Sequence, residues 1–156
     1  MKKIMLATAL VVTVLLPTFA QARDVTFTTQ LKNYDGDGAY LAIYLVKANG
    51  QYQQTLWVAG KKVKHYKSLG GWARASGQQS SEYDGRTGAS LSSGRSLKIT
   101  VDLDDQFFDS GYEVRVDTAV EDMRENRAEV TVPLTTNGAG KSFSGRGYVK
   151  SFSYTF

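Results

Sequence analysis

The run Asp84-Gly85-Arg86-Thr87-Gly88-Ala89-Ser90 ends on a hydroxyl preceded by two small residues. Neither Gly88 nor Ala89 has the bulk to stop another protein's active site from closing around Ser90. On spacing alone the same residues also make an ordinary solvated turn capped by Asp84, because Ser, Gly and Asp are common turn formers. The rest of the sequence offers little rival chemistry. His65 is the single histidine and there is no cysteine, so the usual soft metal sites are absent, and no Ser-His-carboxylate arrangement is proposed around that one histidine. Asp35-Gly36-Asp37-Gly38 has part of a calcium-loop spacing but lacks the acidic ligand at the twelfth position, and reads as a turn. Asp102, Asp104, Asp105 and Asp109 crowd one turn, whereas paired acid-base catalysis requires carboxylates facing each other across a cleft. No residue is assigned a catalytic role.

The pattern Asp-x-x-Thr-Gly-Ala-Ser resembles the acceptor signature of the periplasmic FAD:protein FMN transferase, in which the last hydroxyl takes FMN through a phosphoester. That resemblance implies that Ser90 is the acceptor, Asp84 and Thr87 are recognition residues, and Gly88 and Ala89 are the small pair before the acceptor. Threonine is the commoner acceptor in that signature, so Ser90 departs from it. A second resemblance covers most of the chain: Tyr40 to Trp57 with its Asn-Gly turn and Thr55-Leu56, Leu69 to Trp72, the Asp84 to Ser90 motif, and Ser110-Gly111-Tyr112 followed by Val114 and Val116. Together these are similar to domain-of-unknown-function family 2271, predicted periplasmic proteins. The resemblance implies a part in flavin-based electron transfer beside a PepSY-type or other membrane flavoprotein. The protein would then supply position and electrostatics, and the covalent FMN the redox chemistry.

The motif lies in a stretch, Gly70 to Ser96, where Gly and Ser crowd together and hydrophobic spacing disappears. It reads as a long surface loop, and loops beyond about 12 to 15 residues are uncommon unless they have a function. Trp72 and Tyr83 are the aromatics in it that could stack on a flavin ring, or else anchor the loop on the domain. Arg74, Arg86 and Arg95 are candidate partners for a phosphate, or else solvated surface groups. Lys61, Lys62, Lys64 and Lys67 surround His65, in the pattern expected of the exposed face of an edge strand over Lys62 to Tyr66.

Period-2 alternation dominates the elements on either side. Val25, Phe27, Thr29 and Leu31 form one face of a first strand. From Ala39 to Val46 both alternating sets are apolar, which predicts a central strand covered on both faces. Asn49-Gly50 then predicts a type I′ turn and a return strand over Gln51 to Val58. Further strands are expected over Leu97 to Leu103, Tyr112 to Val120, Ala128 to Leu134 and Tyr148 to Phe156. The expected fold is an all-β, immunoglobulin-like antiparallel sandwich of two sheets with seven or eight strands.

Lys2 and Lys3, the apolar stretch from Ile4 to Leu16, and Ala20-Gln21-Ala22 read as a cleavable signal peptide over residues 1–22. Residues 23–156 then form one domain in the periplasm, not itself membrane-spanning. Removing Lys2 and Lys3 from the 19 basic residues leaves a weak positive balance over 15 acidic ones, with no basic stripe for nucleic acid. Two other readings compete with the flavin carrier. One is a cofactor-free, immunoglobulin-like binding or accessory module of the envelope. The other is an outer-membrane barrel, whose terminal signal the alternating aromatics up to Phe156 resemble.

Overall fold

The computed structural model describes residues 21–156. The expected leader lies outside them except for Gln21 and Ala22, which already join the first strand: Ala22 pairs with Asp104, and Gln21 accepts a hydrogen bond from the Asp105 amide. Eight strands follow in chain order: β1 (Ala22–Leu31), β2 (Tyr40–Lys47), β3 (Tyr52–Ala59), β4 (Thr87–Gly88), β5 (Ser96–Asp104), β6 (Tyr112–Ala119), β7 (Glu125–Pro133) and β8 (Val149–Thr155). They form two sheets, of order β5-β1-β8 and β4-β3-β2-β6-β7. The strands thus make an open two-layer sandwich instead of one sheet closed on itself.

The sandwich exists because alternation gives each sheet an apolar inner face. Val25, Phe27 and Leu31 of β1 and Phe152 and Tyr154 of β8 meet Leu41, Ile43 and Leu45 of β2 and Val114 and Val116 of β6, all essentially inaccessible to water. At roughly 1.5–3 kcal/mol for each fully buried large aliphatic side chain, this layer is the main source of stability in a protein without disulfides.

β2 is covered on both faces, as its pattern predicts. The cover on the outer face comes from a segment expected to be an edge strand over Lys62 to Tyr66 and then surface loop from Gly70. Residues 60–84 fold into a 3-10 helix (Val63–Ser68) and two short helices, α1 (Gly70–Ser76) and α2 (Ser80–Tyr83). Tyr66, Leu69, Trp72 and Ala73 pack on Ala42, Tyr44 and Val46, building a second, smaller core outside the five-stranded sheet. The expected strand over Lys62 to Tyr66 is therefore a helical turn. Its alternating lysines keep Lys62, Lys64 and Lys67 in water while Tyr66 turns inward and donates a hydrogen bond to the Gly60 carbonyl at 2.8 Å.

The hairpin after β2 forms at Asn49-Gly50, with a different turn from the one expected. The Gly50 amide bonds to the Lys47 carbonyl (2.8 Å) and the Lys47 amide to the Gln51 carbonyl (2.9 Å), while positive φ falls on Gly50 (82°) and not on Asn49. This is a three-residue loop closed by a left-handed glycine, which does not require the strain of a left-handed Asn.

Candidate functional site

One end of the sandwich collects the loops that matter. β1, β3 and β6 finish there and β2, β5, β7 and β8 begin there, as the pairs Gln30–Ser96, Leu41–Ala59, Tyr40–Ala119, Ala119–Glu125 and Leu31–Val149 require. Residues 32–39, 60–62, 89–95, 120–124 and 145–148 are thereby gathered around one rim.

The Asp84 to Ser90 motif is strapped across this rim by backbone hydrogen bonds. Asp84 and Gly85 turn the chain after α2, and the Val58 amide then bonds to the Arg86 carbonyl at 2.9 Å. β4 runs parallel to the end of β3, pairing Thr87 with Val58 and Gly88 with Ala59. The Gly60 amide bonds to the Gly88 carbonyl at 2.8 Å, and Leu91 exchanges both backbone bonds with Ala39. Between these two fixed points Ala89 and Ser90 cross in the open, both exposed. Asp84, Thr87, Ala89 and Ser90 thus lie on one exposed ribbon, with only Gly88 half-buried.

Gly88 is held down by a residue the sequence reading did not single out. A Cβ on Gly88 would lie 2.9 Å from Cζ2 of Trp57, so this ring packs against the ribbon at Gly88. The Trp57 indole N–H is buried there without a partner among the described residues.

Ser90 opens onto a cavity of about 480 Å³ lined also by Asp37, Gly38, Tyr40, Lys61, Lys62, Ala89 and Glu121. Lys61 and Lys62 therefore line the same cavity as Ser90, together with the acidic residues Asp37 and Glu121. Neither Lys61 and Lys62 nor the Asp35 to Gly38 turn belonged to the expected site. The basic run and the density of glycine in that turn were the signals available, but their proximity to Ser90 arises only from the pairing of Leu91 with Ala39.

Other expected members are elsewhere. Trp72 is fully buried, donates its indole N–H to Thr55 Oγ1 at 2.8 Å, and meets Tyr66 and Tyr83 edge-on, so it offers no face for stacking. It anchors the segment, which was the other reading of it. Tyr83 is half-buried against the same two rings. Arg74, Arg86 and Arg95 do not line the cavity.

A buried polar chain fixes the segment that carries the motif. Trp72 can only donate, so Thr55 Oγ1 accepts from it; Tyr52 gives its single proton to Glu82 at 2.5 Å, so Thr55 donates to Tyr52 at 2.7 Å. Burial, and then the bond to Glu82, push the Tyr52 hydroxyl well above the usual phenol range. Fully buried Asp117 accepts from Tyr44 (2.9 Å), the Trp72 amide (2.8 Å) and the Ala128 amide (2.8 Å), tying the start of α1 to β6 and β7. Burial, followed by the charge of Asp117, likewise pushes Tyr44 up. These phenols stay protonated in the folded protein and act as structural donors.

No curated protein and no solved structure matches the chain. A family model does, over residues 22–151, under the description "Predicted periplasmic protein (DUF2271)". The match spans β1 to β7, the start of β8, the helical segment and the Ser90 ribbon, and the chain belongs to this family of predicted periplasmic proteins.

Proposed function

We propose that this chain is a flavin-carrying electron-transfer accessory protein of the periplasm, with FMN esterified to Ser90. The observation that carries the reading is the exposed Ser90 hydroxyl, at the end of an Asp-x-x-Thr-Gly-Ala-Ser ribbon, sharing a cavity with Lys61 and Lys62. This donor set suits a phosphodiester, because ammonium groups near a phosphate oxygen form charge-assisted hydrogen bonds. In the loading step an FAD:protein FMN transferase would catalyse attack of Ser90 Oγ on the FMN-side phosphorus of FAD. The new O–P bond replaces the pyrophosphate bond, AMP leaves, and the serine proton is lost.

Once attached, the flavin would supply the redox chemistry that this cysteine-free chain lacks, in exchange with a PepSY-type or other membrane flavoprotein. Lys61 and Lys62 would hold the phosphate, and the strap from Arg86 to Leu91 would keep the attachment point from swinging.

The test is coexpression with the transferase and intact-mass analysis. A gain of one FMN less one water, absent in Ser90→Ala, supports the reading. No adduct on the wild type, or an adduct that persists in Ser90→Ala, refutes it and leaves the cofactor-free binding module.

A further inference from the structure

The same rim holds a second cavity of about 290 Å³ that shares no lining residue with the one containing Ser90. Its wall is an aromatic pair, Tyr34 and Tyr148, with ring centroids 5.0 Å apart. Both hydroxyls are engaged: Tyr34 donates to the Asp37 carbonyl and Tyr148 to the Arg124 carbonyl, each at 2.9 Å. The rings are therefore fixed, and what they present to the cavity is apolar.

Lys32, Arg124 and Arg146 complete this cavity with Asn126, and a neighbouring one of about 220 Å³ shares Arg124, Asn126 and Arg146 and adds Arg127. None of these four cations forms an ion pair among the described residues, where the two pairs are Arg23–Asp105 and Arg115–Glu113. Glu129, the buried carboxylate beside them, is occupied by the Thr118 hydroxyl and the Gly147 and Val149 amides. Glu125 and Glu129 both line the second cavity, whereas no acidic residue lines the first. Two of the cations are also oriented: Lys32 donates to the Gly147 carbonyl at 2.9 Å and Arg146 to the Ala128 carbonyl at 3.1 Å. Arg146 keeps its other N–H donors for a ligand, whereas Lys32, which also donates to the Gly145 carbonyl at 3.3 Å, keeps one.

We infer that this is a binding site for a small aromatic anion, a planar ring bearing a phosphate or carboxylate. The ring lies against Tyr34 and Tyr148, and its acidic group meets Arg124 and Arg146. Fixed aromatic walls recognise the flat apolar part, and unneutralised guanidinium groups match planar oxyanions with paired donors. The site does not rest on modification of Ser90.

Phenyl phosphate serves as the probe, titrated into the mature chain and followed by amide chemical shifts at Tyr34, Asn126 and Gly147, with inorganic phosphate and phenol as the two half-ligands. The expected result is saturable binding at least about tenfold tighter than either half, weakened about tenfold in Arg124→Gln and in Tyr34→Ala, with melting temperatures of the variants recorded alongside. Ser90→Ala should bind as the wild type does. Absence of saturation, inorganic phosphate binding as tightly as phenyl phosphate, or affinity unchanged in both Arg124→Gln and Tyr34→Ala would overturn the site. Loss of binding in Ser90→Ala would overturn it too, by assigning the ligand to the other cavity.

Discussion

Ser90 lies directly over Gly38: a methyl group at position 38 would stand 2.8 Å from Ser90 Oγ and 3.3 Å from its Cβ. The missing side chain at position 38 leaves room for the Ser90 hydroxyl. Gly38→Ala should leave global stability within about 1 kcal/mol, since the clash is relieved by turning one exposed side chain. It should also slow FMN attachment several-fold, and intact-mass time courses during coexpression, with a melting curve as control, measure both effects.

Gly88 is constrained differently, by the ring of Trp57 beneath it. Gly88→Ala must move either that ring or the β4 backbone, and should cost about 1–3 kcal/mol as an overpacking change. Ala89→Gly, on the exposed part of the ribbon, should cost under about 1 kcal/mol. Urea unfolding of the two variants separates them, and equal midpoints would contradict the packing of Trp57 under position 88.

Asp117 serves three donors at once, so Asp117→Ala orphans the Tyr44 hydroxyl and the Trp72 and Ala128 amides together. At about 1–3 kcal/mol for each buried unsatisfied group, the expected loss is at least about 3 kcal/mol. Asp117→Asn should recover part of it, because its amide oxygen can keep Tyr44 and Ala128, which share one carboxylate oxygen, while its nitrogen confronts the Trp72 amide. Denaturant unfolding gives the loss, and near-ultraviolet circular dichroism reports whether Trp72 keeps its fixed surroundings.

Alkaline sensitivity follows from Tyr44 and Tyr52. Both hold their protons more tightly when folded, whereas tyrosines of the unfolded chain ionise near about pH 10. The unfolded state thus releases protons first, so stability is complete below that pH and falls as pH rises above it. Tyr52→Phe should flatten the decline while lowering stability at neutral pH, through the lost bond to Glu82. Urea midpoints compared between neutral and strongly alkaline buffer test this, and an unchanged slope in the variant would be the contrary result.

Strands were legible because burial on one face of a pleated sheet leaves an alternating trace. Val25, Phe27 and Leu31, or Val114 and Val116, declare their face without reference to anything distant. The doubly apolar β2 declared that something covers its outer side, though not that the cover would be residues 60–84. That segment misled because a short helix on a sheet needs few apolar anchors. Tyr66, Leu69 and Trp72 do stand at helical spacing, but three anchors among glycines and serines make too short a run to stand out, and they are enough. The Ser90 motif was readable as a string, while its setting was not. Lys61, Lys62, Gly38 and Trp57 reach it through the parallel pairing of β4 with β3 and the Leu91–Ala39 bridge, and contacts of that kind leave no local pattern.

The parallel pairing of Thr87-Gly88 with Val58-Ala59 has a consequence for assembly. β3 would otherwise be the outermost strand of its sheet, with open amide and carbonyl groups available to a second molecule. The Thr87-Gly88 ribbon is a guard on the end of that border. If the proposed transferase acts on Ser90, peeling the ribbon away would invite self-association, so loading would have to seize the hydroxyl while leaving the guard in its seat.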